Sequence, residues 1–238
     1  MYTAENVIYM RPDTNKRAAM NDRPDPNKKR VVTSKRADSN DRPDPNDRPD
    51  PNKKREVIRQ RERMKTAFER NRKAVLLRPE MGKSTAETII RLKDGTTCEV
   101  THKHWKFHVD IGKGEGGNDA GPGPGILERG ALGSCLAIGY SQQAALLGVP
   151  LDSVEVTVAS DIDARGMLGI DDRPPGFKEL RYEVRIKSPA PVDEVMKVIE
   201  ETERMSPVLD DFRRPISVKR SVNIVNTLEQ SDIITDQI

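Results

Sequence analysis

The heptad Asn-Asp-Arg-Pro-Asp-Pro-Asn occurs at residues 21–27, again at 40–46, and overlaps itself at 46–52. Two copies run on into Lys-Lys-Arg, at 28–30 and 53–55, and residues 11–17 look like a decayed copy. Seven prolines fall between residues 11 and 55. Proline fixes φ and removes a backbone donor, so neither a helix nor a sheet ladder runs easily through this segment. Val31 and Val32 form its only adjacent pair of β-branched apolar residues. So little apolar surface cannot offset the chain entropy lost on folding. Residues 1–55 therefore read as a disordered, low-complexity repeat tail, and the core must come from residues beyond 55.

Residues 56–79 change character. Val57, Ile58, Met64, Ala67, Phe68, Ala74 and Val75 recur at roughly helical spacing among many charges. The pattern predicts an amphipathic helix laid on the main domain or on a partner subunit. Arg78-Pro79 ends it, because proline restricts the residue before it.

Alternation of Ala86, Thr88, Ile90 and Leu92 predicts a strand, and Asp94-Gly95 supplies the turn into a second strand near 96–101. Trp105 to Val109 supplies a third, with Trp105, Phe107 and Val109 expected to be buried. Residues 111–125 contain seven glycines and two prolines and read as a loop. From Pro124 to Leu147 the chain is rich in Ala, Leu and Ile, with apolar residues over so much of the circumference that a central, buried helix is expected. Gly148 and Pro150 stop it. Val154, Val156 and Val158 predict a fourth strand; Leu180, Tyr182, Val184 and Ile186 predict a fifth. Pro191 opens a second helix with Asp193 and Glu194 in its first turn and Val195, Met196 and Ile199 on its apolar face. Ile216, Val218, Val222 and Ile224 suggest a final strand. This order predicts an α+β fold in which antiparallel sheets pack on central helices. The domain is expected over residues 80–226, followed by a tail at 227–238.

Charge and composition narrow the function classes. Residues 11–55 hold 14 Lys or Arg against 8 Asp or Glu, whereas residues 56–238 hold 27 against 29. The domain's balance argues against a nucleic-acid surface. No run of 18 apolar residues and no basic-then-apolar leader is present, and the two cysteines form no secreted-type framework. A cytoplasmic protein without a membrane span is expected. The glycine-rich loop lacks the Lys-Ser/Thr of a phosphate loop and the spacing of a dinucleotide fingerprint, so no cofactor is assigned. His102, His104 and His108 lie near Cys98 and would share one face of an unbroken strand, but their spacing matches no closed zinc motif. They read as the polar side of a hairpin, and no metal is assigned.

Cys135 lies in the middle of the predicted central helix. Two readings stand for such a cysteine, a packed small hydrophobe and a nucleophile. The helix start is too far upstream to activate the thiol, so a reactive Cys135 needs a cation from elsewhere in the fold or across an interface. Arg129 and Glu128 occupy unsuitable positions on the same helix.

Gly-Gly-Asn-Asp-Ala-Gly-Pro-Gly-Pro at 116–124, followed by Leu-Glu-Arg-Gly-Ala-Leu-Gly-Ser-Cys-Leu-Ala at 127–137, resembles the OsmC/Ohr signature. Asp163-Ala164-Arg165-Gly166, Pro175-Gly176-Phe177 and Ser206-Pro207-Val208 fit the same pattern in the same order. The resemblance runs over residues 80–226 and implies an OsmC-like fold in an intertwined homodimer with sites at the interface. It implies reduction of organic hydroperoxides or hydrogen peroxide by a cysteine, a second cysteine that forms a disulfide with it, and an Arg-carboxylate pair. Cys135 matches the peroxide-attacking cysteine. Ser206 stands where the second cysteine normally precedes Pro-Val, and Gly125 stands where the glutamate is usual. Arg91 and Lys93 are the candidates for the thiolate-supporting base, and Cys98 is an alternative disulfide partner. With Ser-Pro in place of Cys-Pro, the resemblance is to an uncharacterised branch of the superfamily. The expected activity is a single-cysteine peroxidase working with a small-molecule peroxide and an external dithiol; the alternative is a non-catalytic binding or structural protein.

Overall fold

In the computed structural model the described residues are 51–225, preceded by two short strands, Asn6–Tyr9 (β1) and Thr33–Ser34 (β2). The rest of the expected 1–55 tail up to residue 50, and the expected 227–238 tail, lie outside the described residues. β1 runs antiparallel to Phe177–Ser188 (β7), with Asn6 opposite Ser188. The β-branched and aromatic residues of Asn-Val-Ile-Tyr favour this extended backbone, a local signal that the neighbouring proline-rich repeat overshadows.

The first helix, α1, spans Pro51–Leu77 and so begins before residue 56. Pro51 is compatible with this start because its fixed φ suits the first helical position. Residues 51–77 hold 10 Lys or Arg against 3 Glu, while residues 78–238 hold 20 against 26. The helix and the body it lies on thus carry opposite net charge, which adds a long-range attraction to their contact. That contact is specific: Arg61 Nη2 donates to the Leu151 carbonyl at 2.6 Å, and Met64 faces Ser141.

Three strands follow, Ile89–Asp94 (β3), Thr97–His102 (β4) and Trp105–Val109 (β5), in the order β3-β4-β5. Cross-strand pairs place Leu92, Cys98 and Val109 on one face with Ile90, Val100, Phe107, His102 and Trp105. Arg91, Glu99 and His108 occupy the other. The turn between β4 and β5 resets the register, so His102 and His108 point to opposite faces rather than sharing one. His102 Nδ1 lies 2.7 Å from the Glu87 carbonyl, and His104 stacks beside Trp105. Among the described residues no three His, Cys, Asp or Glu side chains are grouped to hold a metal. Of the three residues expected to be buried on β5, only Val109 is; Trp105 is 64% exposed and Phe107 45%. No other element of the described chain packs extensively against this sheet, which is why its apolar face stays open.

The core forms around α2, Pro124–Leu147, as expected from the sequence. Gly123 enters it in an extended conformation and Gly148 leaves it at φ 73°, with the Val149 N–H returning to the Ala144 carbonyl. Leu132, Leu136, Tyr140 and Ala144 form its buried stripe. They pack against Val184 and Ile186 of β7 and Val195, Val198 and Ile199 of α4, Val192–Met205, with Val154, Val156 and Val158 of β6, Ser153–Ile162, at the margin. Each of these large side chains contributes about 2 kcal/mol by leaving water. β6 and β7 are antiparallel neighbours in the sheet β2-β1-β7-β6, joined through a short helix, α3, Ala164–Met167. Ile126 and Ile138 of α2 are exposed, so the helix is central without being enclosed all round. A last helix, α5, spans Pro207–Arg213, a segment too short to carry a helical period in the sequence. Residues 215–225 form no strand: the alternating apolar side chains Ile216, Val218, Val222 and Ile224 are exposed and find no sheet edge within the described chain.

Asp110 fastens the glycine-rich loop. Its buried carboxylate accepts the hydroxyls of Thr96 and Thr97 at 2.6 and 2.7 Å. It also accepts the backbone N–H groups of Ile111, Asn118 and Ala120. The loop passes so near β5 that a Cβ on Gly121 would stand 2.2 Å from the His108 carbonyl oxygen, so only glycine fits there. The Thr96 hydrogen bond, opposed by desolvation and reinforced by Thr97 and the backbone donors, holds the Asp110 carboxyl well below its ordinary pKa. A depressed carboxylate stabilises the fold above its unfolded pKa of about 4 and loses that contribution as pH falls toward the folded value. Asp110→Asn is therefore expected to lower the melting temperature at neutral pH and to flatten the loss of stability below about pH 4. Thermal melts of both proteins across the acid range check this.

Candidate functional site: Cys135 at a helix crossing

Cys135 is half-buried on α2, one turn beyond the buried Leu132. Its Sγ lies 3.4 Å from Ser206 Oγ. The closeness arises from how α2 and α4 meet. A Cβ on Gly139 would stand 2.5 Å from Thr202 Cγ2, so the helices approach through a position that tolerates no side chain. Thr202 is buried and its hydroxyl is held by the Val198 carbonyl at 2.8 Å, so it cannot turn aside without losing that bond. One turn back along α2 is Cys135; one turn forward along α4 is Ser206. Antiparallel neighbours in register at 139 and 202 bring those two together.

Ser206 is the junction of α4 and α5. It is buried, and as the N-cap of α5 its Oγ accepts the Leu209 N–H at 3.3 Å. The Ser-Pro-Val sequence has a local reason: serine caps, and Pro207 occupies the first helical position. A groove of about 450 Å³ that neither residue lines takes Leu132 of α2 and Leu209 of α5 together with Phe177, Leu180, Tyr182 and Phe212. Leu132 precedes Cys135 by one turn and Leu209 follows Ser206 by about one, while Glu128, Lys178, Glu179 and Arg213 make the rest of the lining charged.

The other sequence candidates lie elsewhere. Arg91 and Lys93 stand on the polar face of β3; Lys93 Nζ is 3.6 Å from Glu99, which Lys106 also holds at 2.7 Å. Lys106 chiefly, opposed by desolvation, holds the Glu99 carboxyl below its ordinary pKa. Within one chain no hydrogen bond or ion pair joins Arg91 or Lys93 to Cys135 among the described residues. Cys98 is on β4, and both cysteines are free thiols. Gly125 sits in the first turn of α2, with Arg129 Nη1 and the Phe177 ring beside the place a Cβ would take. Arg129 donates to Ser160 Oγ at 3.1 Å and lies over the Phe177 ring, turned away from the sulfur.

The Asp163-Ala164-Arg165-Gly166 motif builds the connection between β6 and β7 rather than the thiol's surroundings. Asp163 caps α3 and accepts from Arg165 and Arg173, while Arg173 also pairs with Asp171. These bonds, Arg165 first and against desolvation, depress the Asp163 pKa. Gly166 is required because a Cβ there would meet the Arg173 carbonyl oxygen at 2.5 Å.

The Cys135–Ser206 geometry carries a direct test. Replacing Oγ by a sulfur needs an approach from 3.4 Å to about 2 Å, within the reach of small side-chain adjustments. Ser206→Cys is expected to form a disulfide with Cys135 under mild peroxide, read by mass spectrometry of the digested protein. A folded variant with both thiols free would contradict the placement or the reactivity of Cys135.

Residues 116–221 match the family model described as OsmC-like protein. The chain is similar in structure to an OsmC like protein from Mycoplasma pneumoniae, at 14% identity over 55% of this chain and 89% of that one, with a TM-score of 0.49. It is also similar to an organic hydroperoxide resistance protein from Elizabethkingia anophelis, at 21% identity over 58% and 95% with a TM-score of 0.42. A third similar structure is an organic hydroperoxide resistance protein OsmC from Legionella pneumophila, at 16% identity over 55% and 92%, TM-score 0.42. No curated protein matches the chain. The segment that carries Cys135, the helix crossing and Ser206 is, by the family model it matches over residues 116–221, an OsmC-like domain.

Proposed function

We propose that the protein is a single-cysteine thiol peroxidase. The observation that carries this reading is the half-buried Cys135 Sγ set 3.4 Å from the buried Ser206 hydroxyl. The Cys135 thiolate attacks the distal oxygen of a hydroperoxide; the O–O bond breaks, an S–OH group forms, and the alkoxide takes a proton to leave as alcohol. An external dithiol then attacks the sulfenic sulfur, releasing water and forming a mixed disulfide. Its second thiol displaces Cys135, and the oxidised dithiol leaves. Ser206 forms no disulfide, so turnover depends on that reductant. The resemblance of the Cys135 segment to the peroxide-reducing signature supports the same chemistry. The test measures loss of added cumene hydroperoxide with and without dithiothreitol. Wild type is expected to consume one equivalent per chain alone and to turn over with the dithiol, while Cys135→Ser does neither. Equal consumption by both proteins would exclude this function and leave the non-catalytic alternative.

The functional unit in this reading is a homodimer. Ile90, Leu92, Trp105 and Phe107 are exposed on the apolar face of β3–β5, against which no other element of the described chain packs extensively, and a second copy would bury them symmetrically. Arg91 or Lys93 would then reach Cys135 only from the second subunit. Because both stand on the opposite, polar face of β3, such a role requires the edge or turn of the hairpin, not its apolar face, to meet the thiol. Sedimentation equilibrium at micromolar concentration is expected to give twice the chain mass, and Phe107→Glu to give a monomer. A monomeric wild type would contradict the dimer.

A further inference from the structure

The Ser206 side chain is 6% exposed and has two neighbours at hydrogen-bond distance. Its oxygen accepts the Leu209 N–H at 3.3 Å. Its other contact is Cys135 Sγ at 3.4 Å. Because the backbone N–H can only donate, it fixes one lone pair of Oγ and directs the hydroxyl proton away from α5, toward the sulfur. With a neutral thiol, either group can donate to the other. Once the thiol ionises, only Ser206 O–H to sulfur remains, and that bond is strengthened by the charge. No other donor of the described chain is bonded to the sulfur: Arg129 is committed to Ser160 and the Phe177 ring, and Arg91 and Lys93 lie on the separate β3–β5 sheet.

We infer that Ser206 is the thiolate-stabilising hydrogen-bond donor of this site, held in its donating orientation by the cap it provides to α5. A residue that stands where a disulfide-forming cysteine is usual thus serves the step before oxidation instead of the step after it. The inference deepens the proposed function in that it rests on Cys135 being the reactive group, but its test requires no peroxide. The cap and the donor are separable by substitution. Glycine is tolerated as an N-cap but brings no hydroxyl, and threonine keeps both the cap and the hydroxyl.

The experiment follows alkylation of Cys135 by iodoacetamide in the full chain as a function of pH. Mass spectrometry of the Cys135 peptide separates it from Cys98. Ser206→Gly is expected to raise the midpoint by about one pH unit, so that alkylation below the midpoint slows about tenfold while the plateau at high pH is unchanged. Ser206→Thr is expected to keep the wild-type midpoint. A purely structural role for Ser206 would alter exposure and hence the plateau, without moving the midpoint. A folded Ser206→Gly protein with the wild-type midpoint overturns the inference, and so does Ser206→Thr displaced as far as glycine; where glycine costs the protein its fold, Ser206→Ala, which also lacks the hydroxyl, is read in its place against the same two outcomes. Peroxide consumption is read separately, so a shifted midpoint in a protein that consumes no peroxide sinks the peroxidase reading while leaving the donor role of Ser206 standing.

Discussion

The close passage of α2 past α4 at Gly139 and Thr202 is the constraint on which the site depends. Two helices normally keep roughly 8–10 Å between axes because side chains intervene. Here a Cβ at 139 would stand 2.5 Å from Thr202 Cγ2, and Thr202 is tied to its own helix. On its other side α2 approaches β6 through Gly133, where a Cβ would meet Val158 Cγ2 at 3.2 Å. Glycines on both flanks let the helix sit between sheet and helix, while Leu132, Leu136 and Tyr140 fill the space between those close points. The thiol and the hydroxyl meet because the backbones do.

This arrangement separates what the fold preserves from what the chemistry needs. At the helix crossing Ser206 caps α5 while facing the sulfur. In the proposed reaction a cysteine there would close a disulfide, whereas a serine would leave the oxidised sulfur to a reductant from outside. On that proposal the way the sulfur is resolved would turn on one atom rather than on the packing.

The features that the sequence made legible are those with strong local patterns. The proline-free apolar run gave α2 to the residue, Pro124 to Leu147, because its stop and start are both written in Gly and Pro. Alternation gave the inward faces of β6 and β7. Where the outcome depended on partners distant in sequence, local pattern misled. Ile216, Val218, Val222 and Ile224 alternate like a strand, but a strand needs an edge and the described chain offers none to residues 215–225. Trp105 and Phe107 look like core, but no other element of the described chain packs extensively against their sheet. Asp110 carried no local signal at all; its role comes from two threonines on one side and a loop on the other. In the site, Cys135 and Ser206 were legible by resemblance. Gly139 and Thr202 were not, since nothing in either helix alone announces which turn faces the other.

The sulfur held at this crossing is expected to react as a nucleophile and to stay unpaired after it does. Treating the protein with one equivalent of cumene hydroperoxide in the presence of dimedone, then mapping peptides by mass, reads both parts at once. The expected result is dimedone on Cys135 and no disulfide to Cys98. An unmodified Cys135 in the folded, peroxide-treated protein would contradict both the nucleophile and the peroxidase built on it.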